Sequence, residues 1–203
     1  MRKVFLDMGA HDGCSVRQFI ENWDDWQEYE FFSFEPDKGR FDLLNETYLK
    51  YKLKGRTYKT ACGHITGRRS FDGWKLGGKV ETGGVPCLNM SVFIQENFSK
   101  DDYIIMKFDI EGEEYNMIEI MHQDKTLEYI NEAYGELHGP KKGYKVSQNN
   151  HLLDTLEKYG LKCGQWDALE GKFEECYIVK MGTPGSITTK STPRTGVNYL
   201  YVN

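Results

Sequence analysis

No stretch of this chain approaches twenty apolar residues, so none of it can span a bilayer as a helix. The first apolar run, Val4-Phe5-Leu6, stops at Asp7 after three residues, too short for the core of a secretory signal. No C-x-x-C pair occurs among Cys14, Cys62, Cys87, Cys163 and Cys176. An odd number without a framework points to reduced, buried thiols in a reducing compartment. A long basic run is also missing. Lys50, Lys52, Lys54 and Arg56 form one local cluster and Arg68-Arg69 another, while the formal charge is −5. A protein that relied on neutralising phosphates would carry more, which disfavours nucleic acid as a partner. The P-loop pattern G-x-x-x-x-G-K-[ST] is absent, and with it the expectation of a P-loop nucleotidase. These absences predict a cytoplasmic protein with no membrane partner; they leave its oligomeric state open.

Apolar residues make up 39% and aromatics 14% of the 203 residues, enough to bury the core of one domain over 1–203. Strand and helix signals alternate from the start. Val4-Phe5-Leu6 reads as a buried parallel strand, and Val16, Phe19, Ile20 and Trp23 then recur at helical spacing. Phe31-Phe32-Ser33-Phe34 is a second strand that stops at Glu35-Pro36-Asp37, with Phe41, Leu44, Tyr48 and Tyr51 on one face of the next helix. A third strand is expected from Arg56 to Cys62. Residues 63–87 hold seven glycines and little periodicity, and read as a long loop or irregular insertion.

A helix is expected over 88–98, and the strongest strand signal is Tyr103-Ile104-Ile105-Met106-Lys107-Phe108-Asp109. A helix over 113–122, a strand over 132–138 and a helix carrying Leu152, Leu153, Leu156 and Tyr159 follow. Beyond Gly160 come strand-like pieces at 161–167, 175–181 and 198–202, with an irregular tail at about 182–197. The pattern predicts an α/β, Rossmann-like architecture. Its mainly parallel central sheet carries helices on both faces and antiparallel C-terminal strand(s). Sites in such sheets gather at the carboxyl ends of the strands.

Two motifs stand at those ends. Asp7-Met8-Gly9-Ala10-His11-Asp12-Gly13 joins the first strand to a helix, and its glycines let backbone come close to a ligand. Glu35 ends the second strand, 22 positions beyond Gly13, where an acid can accept hydrogen bonds from both hydroxyls of a ribose. Together they predict a nucleoside-bearing cofactor. The turn has G-x-x-x-G rather than the G-x-G-x-x-G of dinucleotide folds. Asp7 would repel a pyrophosphate but could attract the cationic aminoacyl end of S-adenosylmethionine.

The segment Val4 to Gly13, then Phe34-Glu35-Pro36, then Ile105-Met106-Lys107-Phe108-Asp109-Ile110-Glu111-Gly112-Glu113-Glu114 resembles the FkbM family of S-adenosylmethionine-dependent methyltransferases. The Lys-x-Asp-x-Glu-Gly block is the most diagnostic piece, and Glu136-x-His138 also looks like the family pattern. The resemblance covers roughly residues 3–165. It implies a class I methyltransferase fold and O-methylation, often of sugars or other hydroxylated products. The expected partner is then a small-molecule or glycan acceptor. It also implies cofactor contacts from Asp7, Gly9, Ala10, His11, Gly13, Glu35 and Asp109. Methyltransferases often carry an acid near the adenine after strand three. Here Ala61-Cys62-Gly63-His64 stands in that place, which makes Cys62 the expected contact.

A hydroxyl acceptor must lose its proton to attack a sulfonium methyl, so a base or a metal is needed. Asp109 and Glu111 sit two apart at the mouth of one strand, and Glu136 and His138 repeat the spacing at the next. In an extended chain each pair would share a side. The four are the expected catalytic residues, and they could also hold a divalent metal. Lys107, inside an apolar strand, needs a partner carboxylate. Two other readings stay open: an NAD-binding oxidoreductase, and a silent cofactor-binding module that recognises a partner.

Overall fold

Strand β1 (Lys3–Met8) is buried from Val4 to Met8 and β7 (Tyr103–Phe108) from Ile104 to Phe108, as expected of central strands covered on both faces. They belong to a computed structural model that describes residues 1–69, 84–138 and 145–166. Around them lie β2 (Tyr29–Phe34), β3 (Gly55–Tyr58), β8 (Glu132–Gly135) and β9 (Cys163–Gln165), in the order β3-β2-β1-β7-β8-β9. Every neighbouring pair is parallel. The helices between them are α1 (Cys14–Asn22), α2 (Lys38–Tyr51), α3 (Met90–Asn97), α4 (Glu114–Gln123) and α5 (Val146–Glu157).

Side-chain alternation along the strands sorts the core into two layers. Phe5, Phe31 and Ile105 pack with Val16 and Phe19 of α1 and Leu44 of α2. Val4, Leu6, Met8, Ile104 and Met106 pack with residues of α3, α4 and α5 on the other face. Each such fully buried side chain contributes about 1.5–3 kcal/mol, so the two layers together hold the central strands in place. No helix among the described residues is long and apolar enough to cross a membrane. Cys62, Cys87 and Cys163 are free and buried, and Cys14 is free and half-buried; Cys176 lies outside the described residues.

The expected third strand is two strands in two sheets. Gly55–Tyr58 pairs with β2, and Thr60 then donates its amide to the Tyr58 carbonyl in a tight turn. This swings β4 (Ala61–Gly63) away to pair with β6 (Val85–Asn89). With β5 (Gly67–Arg69) these form a second sheet, ordered β4-β6-β5, where irregular chain was expected. Strands of three to five residues are too short for alternation to show in the sequence. The helix expected from 88 begins at Met90, because Asn89 caps it by accepting from the Ser91 amide at 2.9 Å.

The strand expected to reach 138 stops at Gly135. At the C-terminal end, β9 is a short parallel strand. The pieces at 175–181 and 198–202, and the tail at 182–197, lie outside the described residues, as do 70–83 of the expected insertion.

Candidate active site

The strand order reverses between β1 and β7, and their carboxyl ends are level: Met8 pairs with both Phe34 and Phe108. A crevice at such a reversal is where ligands bind in parallel sheets. Backbone closes it tightly on one side. Gly9 and Ala10 donate their amides to the Phe34 carbonyl at 3.1 and 2.9 Å, and Asp109 donates to Met8 O at 3.0 Å. Gly9 has φ +83, and a Cβ there would stand 1.9 Å from the Asp109 carbonyl oxygen, so glycine is required. His11 (φ +52) and Gly13 (φ +85) also have left-handed backbone, and Gly13 opens α1.

Glu35 leaves the tip of β2 and is 4% exposed. Its Oε2 accepts from the His11 amide at 2.9 Å and its Oε1 from the Asp37 amide at 2.8 Å. Burial raises its pKa, against the opposing pull of the Asp37 amide, the Arg40 charge and the His11 amide. The carboxylate is thereby fixed beside the glycine turn. Each of its oxygens has a second lone pair that a ligand hydroxyl could use.

Asp7 and Lys107 are register partners on β1 and β7, so alternation places both on the layer of Phe5 and Ile105. The two are buried, with Lys107 Nζ 3.3 Å from Asp7 Oδ1. Lys107 also donates to Gly9 O at 2.7 Å, and Ser15 donates to Asp7 Oδ2 at 2.6 Å. Burial works against the ammonium, but the charges of Asp7 and Asp109 outweigh it and raise the Lys107 pKa. Lys107 therefore has the carboxylate partner its position demanded. Asp7 sits beneath the turn with none of its surface exposed and offers the crevice no face. Cys62 and Ala10 are likewise buried, so their side chains serve packing.

Asp109, Glu111 and His138 converge, though not by strand alternation. The chain leaves the sheet at Phe108, and Glu111 (φ +58) and Gly112 (φ +106) form a left-handed turn that folds Glu111 back. His138 Nε2 lies 3.3 Å from Glu111 Oε2 and 3.8 Å from Asp109 Oδ1. His138 is 4% exposed, and its Nδ1 is hydrogen-bonded to Glu114 Oε1 at 2.5 Å. Glu114 is itself fully buried and accepts from the Gly112 amide through its other oxygen. Burial alone would lower the His138 pKa; the Glu114 hydrogen bond and the charges of Glu114, Asp109 and Glu136 outweigh it and raise the pKa. Glu136 lies just past the end of β8 and is exposed, whereas His138 is buried, and the Glu136 charge acts on this cluster.

The sequence model of the Methyltransferase FkbM domain matches residues 7–163. The chain belongs to the FkbM methyltransferase family. It is also similar to the crystal structure of methyltransferase FkbM from Methylobacillus flagellatus KT, at 19% identity and a TM-score of 0.44. That likeness covers 61% of this chain and 29% of the other, so the chain spans under a third of that protein's length. No curated protein matches.

Within this FkbM domain, sequence reasoning overlooked a second set of partners around the same turn. Glu113 is buried, accepts from Arg69 Nη2 at 3.0 Å, and is bonded to His64 Nδ1. The signal was present in Glu113-Glu114, since adjacent carboxylates at a helix start must point to different sides. Glu114 reaches His138 across the sheet edge, whereas Glu113 reaches the second sheet. Two cavities, of about 280 Å³ between α4 and α5 and about 240 Å³ beside Trp26 and Tyr51, lie away from these strand ends. Neither of these two gathers the acids described above.

Proposed function

We propose that this FkbM domain is an S-adenosylmethionine-dependent O-methyltransferase acting on a hydroxyl of a sugar or small hydroxylated metabolite. The observation that carries the reading is Glu35, a buried carboxylate held by two backbone amides at the tip of β2, beside the turn at Gly9. That hydrogen-bond acceptor fits a ribose diol, and the left-handed turn from Gly9 to Gly13 gives the backbone approach a nucleoside needs. Bound there, S-adenosylmethionine supplies a methyl group on a sulfonium, ready for in-line displacement.

The chain's own residues do the rest. Glu35 orients the ribose, while Lys107, through Gly9 O, keeps the turn closed over the tip of β1. Asp109 stands where the β1 and β7 loops touch, between the glycine turn and His138. The acceptor belongs on that side, where Asp109, Glu111 and His138 govern the proton its oxygen must lose. Buried free thiols fit a reducing compartment, so we place the protein in the cytoplasm.

Calorimetry with S-adenosylhomocysteine and with NAD tests the cofactor. Binding of the first and not the second is expected, with Glu35→Gln weakening it at least about tenfold, the loss of a charged hydrogen bond. Preference for NAD, or an unchanged affinity in Glu35→Gln, would refute the reading. Labelled methyl transfer to a panel of hydroxylated acceptors then tests the reaction.

A further inference from the structure

We infer that Arg17 of α1 and Thr47 of α2 are positioning residues that brace the exit of the glycine turn in its ligand-binding shape. The turn needs such a hold. Three of its five residues, Gly9 (φ +83), His11 (φ +52) and Gly13 (φ +85), have left-handed backbone. A residue with a Cβ disfavours that conformation, so at His11 the surroundings must impose it.

The entry to the turn is fixed at Gly9, whose carbonyl accepts from Lys107 Nζ at 2.7 Å. The exit has a separate hold. The Asp12 carbonyl accepts from Arg17 Nη1 at 3.0 Å and from the Thr47 hydroxyl at 3.2 Å. Arg17 Nη1 also lies 3.2 Å from Thr47 Oγ1 as a donor, which joins the two side chains into one brace. The Asp12 carboxylate completes it. Its Oδ2 accepts from Arg17 Nη2 at 3.0 Å and its Oδ1 from the Cys14 amide at 3.0 Å. Burial raises the Asp12 pKa, but hydrogen bonds from Arg17 and His11 outweigh it and lower the pKa.

Close packing adds to the hydrogen bonds. Thr47 is buried, and a Cβ on Gly13 would stand 2.9 Å from its Oγ1 and 3.0 Å from its Cβ. The same helix holds Glu35. Its N-cap, Asp37, donates its amide to Glu35 Oε1 at 2.8 Å. From 37 to 47 the helix runs about 15 Å at 1.5 Å per residue. One rigid element therefore sets the separation between the carboxylate and the turn.

A ligand that needs the turn in this shape binds more weakly as fewer chains hold it. Cutting the brace lowers that fraction and weakens affinity through the turn. The effect on affinity rests on the nucleoside reading of the crevice; the effect on the turn does not.

The test pairs calorimetry with S-adenosylhomocysteine on the full chain with hydrogen exchange at the His11 and Gly13 amides, measured without ligand. Arg17→Met should raise Kd about tenfold and Thr47→Val about threefold, matching loss of a charged and of a neutral hydrogen bond. Thr47→Val keeps the volume of the side chain and carries the test if Arg17→Met does not fold. Thr47→Ser retains the donor and should bind within about twofold of the parent. Exchange at both amides should quicken at least about tenfold in Arg17→Met and at least about threefold in Thr47→Val. Ile94→Val, in the other layer of the core, lowers stability generally and should leave both readouts at the parent's values. Parent-like affinity in Arg17→Met and Thr47→Val, or an equal loss in Ile94→Val, overturns the brace. If the parent binds no S-adenosylhomocysteine, the cofactor reading fails, and exchange alone decides: faster exchange in the two variants upholds the brace, unchanged exchange overturns it.

Discussion

Lys107 and Asp7 are two opposite charges removed from water in the middle of a sheet, and neither is tolerable without the other. Lys107→Met should therefore lower stability by about 3–5 kcal/mol, because it strands the Asp7 carboxylate. The double variant Asp7→Leu with Lys107→Met should recover most of that loss. Urea unfolding of the three proteins checks this; equal stabilities of the single variant and the parent would mean the pair contributes nothing. The sequence made Lys107 conspicuous as a charge inside an apolar strand, but not its partner. That pairing depends on the β1–β7 register, which joins residues a hundred positions apart. For the same reason the sequence does not show that Asp7, at the end of the first strand, is buried and paired with Lys107. Glu35, Asp109, Glu111 and His138 were legible because each follows a strong strand signal. The left-handed turn that brings Glu111 to His138 was not, since only Gly112 hints at it.

Among the elements, those with clear apolar runs emerge from the sequence close to their observed bounds: β2, β7, α2 and α4. The second sheet does not, because its strands are short and take their order from pairing rather than from pattern. Its tie to the site is Glu113, at the start of α4, which grips Arg69 of β5 and His64 just past β4. Arg69→Met would leave Glu113 buried with His64 as its side-chain partner among the described residues. Hydrogen exchange at 61–69 and 85–89 should then speed up at least about tenfold, while β1 amides keep their protection. Uniform change across both sheets would show that Arg69 stabilises the whole fold rather than this junction.

At the level of the whole molecule, the nucleoside proposed for the tips of β1 and β2 would bind only the folded chain. S-adenosylhomocysteine at a hundred times its Kd should add about 2.7 kcal/mol of stability. For a chain of this length that is a rise in Tm of roughly 5–10 °C. NAD at the same concentration should leave the melting curve where it was. A matching rise with NAD would point to a dinucleotide instead.

The described strands of the main sheet all run the same way, so its two rims have different duties. The exposed Met1 lies on the rim opposite the crevice, separated from it by the length of β1, about 20 Å at 3.3 Å per residue. A surface tether joined at that exposed residue should leave ligand access open, so an immobilised sensor could be built through it.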